Sequence, residues 1–145
     1  MITRLAHLCL RTSRFAEMTR FYRDGLGLPI HFSLKLSDGR VFGHYFALGG
    51  ESFLELFDHA GATEMWGGSP TPPRRHEDAT YQHFCLEVPD VAGERAAMRS
   101  RGIEVTEPTE GMDGSIQAWA RDPDGNDIEL MQYTARSLQK ALPNA

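Results

Sequence analysis

Polar and apolar residues alternate through His7-Leu8-Cys9-Leu10-Arg11, and the same kind of alternation returns at His83-Phe84-Cys85-Leu86-Glu87. A period of two belongs to a strand with one face against a core. Each stretch is followed by helical spacing. Phe15, Met18 and Tyr22 form one stripe, which predicts a helix capped by Ser13, running to about Arg23 and ended by Gly25 and Gly27. Residues 91–101 predict a second helix, with Asp90 as candidate N-cap, Gly102 just past the end and Ile103 closing the turn. Three strand-like runs then follow in each half, at 31–36, 41–48 and 52–57 and at 103–106, 115–121 and 126–132. The turn residues Ser37-Asp38-Gly39, Gly49-Gly50 and Asp122-Pro123-Asp124-Gly125 separate them.

The chain therefore reads as α+β, with one βαβββ module over 1–58 and another over 80–134. Residues 59–79 carry Gly61, Gly67, Gly68, Pro70, Pro72 and Pro73, and predict a linker with little regular structure. Residues 135–145 form a tail, either a short helix or a frayed end. A repeat this long points to a duplicated module rather than a solenoid array.

Assigning faces brings out the chemistry. His7, Cys9 and Arg11 share one side of the first strand, and His83, Cys85 and Glu87 share the equivalent side in the second half. In Phe53-Leu54-Glu55-Leu56-Phe57 and Ile128-Glu129-Leu130-Met131, a glutamate sits among apolar neighbours. A carboxylate placed there is costly unless paired or bound to metal. The His-to-Glu spacing is 48 residues in the first half and 46 in the second. A lone strand histidine is ordinarily a structural residue, and a lone glutamate can sit on an edge strand. Recurrence at equivalent places in both halves favours a divalent ion held by His7, Glu55, His83 and Glu129. Imidazole and carboxylate together suit Zn²⁺, Ni²⁺ or Co²⁺, with Mn²⁺ or Fe²⁺ also possible.

Cys9 and Cys85 read more readily as small buried hydrophobes than as pocket residues. Trp66, Arg74, Arg75 and His76 lie in the linker, where solvated loop residues are the simpler account than a closing lid. Phe46, Phe53, Phe57 and Trp119 line an interior or simply pack a core.

Composition narrows the class further. A net charge of −5, with no run of Lys or Arg longer than two, disfavours nucleic acid or an anionic membrane as a partner. No apolar stretch nears the ~20 residues of a membrane span. The first ten residues lack the features of a signal peptide, and two cysteines are too few for a disulfide scaffold. The expectation is a cytoplasmic protein acting on a small molecule.

The stretches around His7-Leu8-Cys9-Leu10-Arg11, Phe21-Tyr22-Arg23-Asp24-Gly25-Leu26-Gly27-Leu28 and Asp122-Pro123-Asp124-Gly125-Asn126-Asp127-Ile128-Glu129 resemble the vicinal-oxygen-chelate superfamily. That group includes glyoxalase I, extradiol dioxygenases and bleomycin-resistance proteins, and the resemblance covers about residues 1–134. It implies paired βαβββ modules forming a curved mixed sheet around a metal, and a homodimer. The ligand order His-Glu-His-Glu is closest to glyoxalase I (lactoylglutathione lyase). By that resemblance the chain is a metal-dependent lyase or isomerase that abstracts a proton next to a carbonyl, with Glu129 as first choice of base and Glu55 as its partner. Arg11 matches a position that contacts a substrate carboxylate, whereas His59 stands where glyoxalases commonly have Asn. A metal-dependent dioxygenase using Fe²⁺ or Mn²⁺, and a drug-sequestering protein, are the alternatives.

Overall fold

The computed structural model describes residues 1–74 and 80–140. The chain divides into two compact units, Met1–His76 and Glu77–Ala145. In the first, β1 (His7–Thr12) leads into α1 (Phe15–Arg20), and β2 (Ile30–Lys35), β3 (Val41–Ala47) and β4 (Phe53–Asp58) follow. In the second, β5 (His83–Glu87) leads into α3 (Val91–Ser100), then β6 (Thr109–Glu110), β7 (Ile116–Arg121) and β8 (Asp127–Gln132). The sheet orders are β1-β4-β3-β2 and β5-β8-β7-β6, so each is a mixed four-stranded sheet. The first strand lies parallel to the last, and all other neighbours are antiparallel. Both halves are thus βαβββ.

Apolar alternation explains why each helix lies on its sheet. Met18, Tyr22, Phe46, Leu54 and Leu56 are fully buried in the first unit, and the Tyr22 and Phe46 rings stand 5.9 Å apart. In the second unit Val91 and Met98 of α3 are fully buried, as are Ala118 and Ile128 on the two strands α3 contacts. Burying such side chains is each worth about 1.5–3 kcal/mol.

The helix ends differ from expectation in instructive ways. Ser13 does not cap α1: the buried Thr12 instead accepts from the Arg14 N–H at 2.8 Å. The helix narrows to six residues and then widens into a π turn at Phe21–Gly25. Asp90 occupies the N-cap of α3 but its side chain makes no capping bond; Gln132 Oε1 accepts from the Val91 N–H at 3.0 Å. The C-terminus is as expected. Gly102, with φ of 84°, donates to Arg99 O, and Ile103 donates to Met98 O. That pair of bonds is the Schellman closure.

The predicted structureless linker begins instead with α2 (His59–Trp66), capped by Asp58, whose carboxylate accepts from the Gly61 N–H at 2.8 Å. α2 docks because Phe42, Phe57 and Ala62 form a second apolar cluster with Leu36. Trp66, expected to be a loop residue, packs edgewise on Phe42 and Phe57 at 5.3 and 5.1 Å. Arg74 is exposed, and the expectations for Arg75 and His76 fall outside the described residues. In the second half the expected strand 103–106 is reduced to a single bridge between Val105 and Ala120, and β6 forms after it. The tail contributes a 3₁₀ turn at Leu138–Lys140.

Two helical glycines should respond oppositely to a methyl group. A Cβ at Gly61 would stand 2.4 Å from Phe42 Cβ, close to the backbone, where little can yield. Gly61→Ala should cost about 1–3 kcal/mol from overpacking, which outweighs the ~1 kcal/mol gained in helix propensity. At Gly93 the Cβ meets only the Asp90 carboxylate, which makes no cap bond and can swing aside. Gly93→Ala should raise stability by up to ~1 kcal/mol. Denaturant midpoints moving the same way for both would refute this reading of how α2 packs.

Candidate metal centre

Glu55 lies in the middle of β4, a strand with neighbours on both sides. Across β1 its register partner is Cys9, and across β3 it is Tyr45. His7, two residues before Cys9, reaches it diagonally, with Nδ1 3.5 Å from Glu55 Oε1. The glutamate side chain is 8% exposed and the imidazole 51%. In the second unit Glu129 on β8 pairs in register with Cys85 on β5 and Trp119 on β7. His83 Nε2 stands 3.2 Å from Glu129 Oε2, with side chains 38% and 7% exposed. Each half therefore carries one row, Cys-Glu-aromatic, with a histidine set diagonally at its open side.

The neighbours respond to the buried carboxylates. Burial, and then the negative charge of Glu55 beside it, push the Cys9 thiol up to about 11. Burial and Glu129 push Cys85 up to about 12. Both cysteines keep exposed surface, which departs from the expectation of small buried hydrophobes. The Tyr45 hydroxyl donates to Glu55, and that bond, followed by burial, raises the phenol to about 12. Trp119 has no such hydroxyl; its ring meets the His83 imidazole edgewise at 4.8 Å.

The donor chemistry fits a divalent ion. Each unit offers one carboxylate held away from water and one imidazole within 3.5 Å of it, still partly open to solvent. No group of three or more His, Cys, Asp or Glu side chains is gathered for a metal among the described residues. Each pair offers two donors, short of the ~four that such an ion usually takes.

Arg11, on the same face as His7 and Cys9, is anchored by α2. Its Nη2 donates to the His59 carbonyl at 3.1 Å and to the Thr63 hydroxyl, which itself donates to His59 O at 2.8 Å. Arg11 Nε and both ring nitrogens of the buried His59 have no hydrogen-bond partner among the described residues. Tyr45 was missed by sequence reasoning. Strand alternation places it on a face, but only the β3–β4 register puts it beside Glu55.

A family model described as Glyoxalase/Bleomycin resistance protein/Dioxygenase superfamily matches residues 4–130. Among solved structures, a lactoylglutathione lyase from Agrobacterium tumefaciens is 27% identical with a TM-score of 0.59, covering 90% of this chain and 94% of its own. TnmS3, an antibiotic binding protein from Streptomyces sp. CB03234, is 25% identical with a TM-score of 0.68, over 92% of this chain and 98% of that one. SMU.1112c shares the fold at 22% identity and a TM-score of 0.73, covering 91% of this chain and 100% of that one. No curated protein matches the chain.

The raised thiols give a direct test. Only the thiolate is alkylated, so moving Cys9 from 9.0 to about 11 lowers its thiolate fraction at pH 8 by about a hundredfold. In chelator-treated protein both cysteines should react with iodoacetamide far more slowly than a free thiol, Cys85 the slower. Glu55→Gln should restore only part of the Cys9 rate, about tenfold, because burial is the larger cause. Rapid labelling at pH 8 would contradict the geometry drawn here.

Proposed function

Because the chain belongs to the Glyoxalase/Bleomycin resistance protein/Dioxygenase superfamily, we propose that it is a divalent-metal-dependent lyase or isomerase acting next to a substrate carbonyl. The observation that carries the proposal is the twofold recurrence of a buried glutamate with a half-open histidine beside it. His7, Glu55, His83 and Glu129 are the ligands we assign, to Zn²⁺, Ni²⁺ or Co²⁺ in preference to Mn²⁺ or Fe²⁺. When bound, the ion supplies a Lewis acid that polarises a carbonyl and holds charge developing on its oxygen.

The chain's own groups divide the remaining work. Glu129 is the base we assign: its carboxylate takes the proton from the carbon next to the carbonyl and returns it to the neighbouring carbon. The proton is conserved and no net redox change occurs. Glu55 is its partner and the more firmly held of the two, since Tyr45 donates to it while Glu129 faces Trp119. Arg11 is fixed through Nη2 on α2, and it is the residue we assign to a substrate oxygen.

No helix among the described residues is long and apolar enough to cross a membrane. A small-molecule substrate, a cytoplasmic setting and a homodimer complete the proposal. A second reading, ligand sequestration without turnover, is supported by the likeness to the antibiotic binding protein TnmS3. The dioxygenase alternative has less support, because it calls for one glutamate to remain off the metal.

Metal-stripped protein titrated with Zn²⁺ or Ni²⁺ should take up about one ion per chain. Glu55→Gln and Glu129→Gln should each weaken uptake about tenfold or more. Glu129→Gln should also slow isomerisation of a hemithioacetal by about a hundredfold or more. If both variants keep full metal content and turnover, the ligand assignment fails. Tight ligand binding by metal-free protein without turnover would establish sequestration instead.

A further inference from the structure

The second unit contains a cleft of about 720 Å³ between the end of α3 and the strand β7. Trp119 is among its lining residues, and its indole meets the His83 ring edgewise at 4.8 Å. Trp119 is also the register partner of Glu129. The cleft and the His83–Glu129 pair therefore have Trp119 in common. The volume is within the range of small-molecule sites, about 300–1,000 Å³.

The lining indicates what such a cleft would accept. Trp119, Ile103 and Val105 supply aromatic and branched apolar surface. The charged groups are Arg99, Glu104, Arg121 and Asp127, two of each sign. Arg121 and Asp127 are already joined, Nε to Oδ1 at 2.7 Å. A charged ligand would find no net complement here and would lose hydration on entry. A flat, neutral ring could lie against the indole at little desolvation cost.

Why the cleft is open follows from the topology. β6 pairs with β7 only at Gln117 and Ile116, and segment 103–106 touches the strand at one bridge, Val105 to Ala120. The edge of β7 near Trp119 is therefore covered by a segment that forms no strand. The Trp119 N–H donates to Thr106 Oγ1 at 2.9 Å and the Thr106 N–H to Trp119 O at 2.9 Å, so the backbone behind the indole is satisfied.

We propose that this cleft binds the neutral aromatic portion of the substrate, with Trp119 as the wall that aligns it beside His83 and Glu129. The proposal rests on the reading of that pair as part of the substrate centre. Occupancy of the cleft itself needs no metal, which separates the two in experiment.

Trp66 and Trp119 are the two tryptophans. In a Trp66→Phe background, emission reports Trp119 alone. Metal-free protein should show a saturable change in emission with acetophenone. Butanone, which lacks the ring, and benzoate, which is charged, should bind about tenfold or more weakly. Ile103→Glu, at a partly exposed position, should abolish the acetophenone response while circular dichroism stays unchanged. Equal responses to the three probes, no saturation, or an unaltered response in Ile103→Glu would overturn the proposal. Failure of Zn²⁺ uptake would count against the metal reading alone.

Discussion

The structure turns on placing a carboxylate in the buried middle of a strand, twice. A glutamate flanked by Leu54 and Leu56, or by Ile128 and Leu130, loses hydration when those neighbours go into the core. It is tolerable only if an adjacent strand turns a polar side chain toward it, as β1 does with His7 and β5 with His83. That requirement calls for a partner strand beside β4 and beside β8. The order β1-β4-β3-β2 meets it by bringing the first strand back beside the last. Returning β1 to β4 in parallel demands a helical crossover, and the crossover is held by the apolar stripe of α1 against Phe46 and Leu54. The site is thus a consequence of the fold's connectivity as much as of its ligands.

That dependence explains what could be read from residues alone. Period-two and period-3.6 patterns announce which segments are strands and helices, and the duplication shows itself because both patterns recur in order. The positions of His7, Glu55, His83 and Glu129 on strand faces are also legible, because alternation is a local property. The Tyr45–Glu55 contact was not legible, because it depends on the β3–β4 register, which many residues set jointly. α2 was hidden for another reason. Gly61 inside it and the Gly and Pro residues after it resemble a loop, and the helix is stabilised by burial of Ala62 against Phe42 and Phe57 rather than by propensity. Asp58 as N-cap was the available local signal.

The two halves share a plan but not their environment, and the differences fall around the glutamates. The first unit surrounds Glu55 with a phenol donor and a helix that fastens Arg11. The second leaves Glu129 beside an indole that cannot reach it as a hydroxyl would, next to an open cleft. A carboxylate bound by extra donors is held in one position. A carboxylate with fewer fixed donors can turn toward a substrate carbon. Duplication alone would yield two equivalent glutamates. Replacement of one aromatic by another at the same register position, Tyr45 in one half and Trp119 in the other, sets them in different surroundings, and the proposed assignment of Glu129 as base rests on that asymmetry.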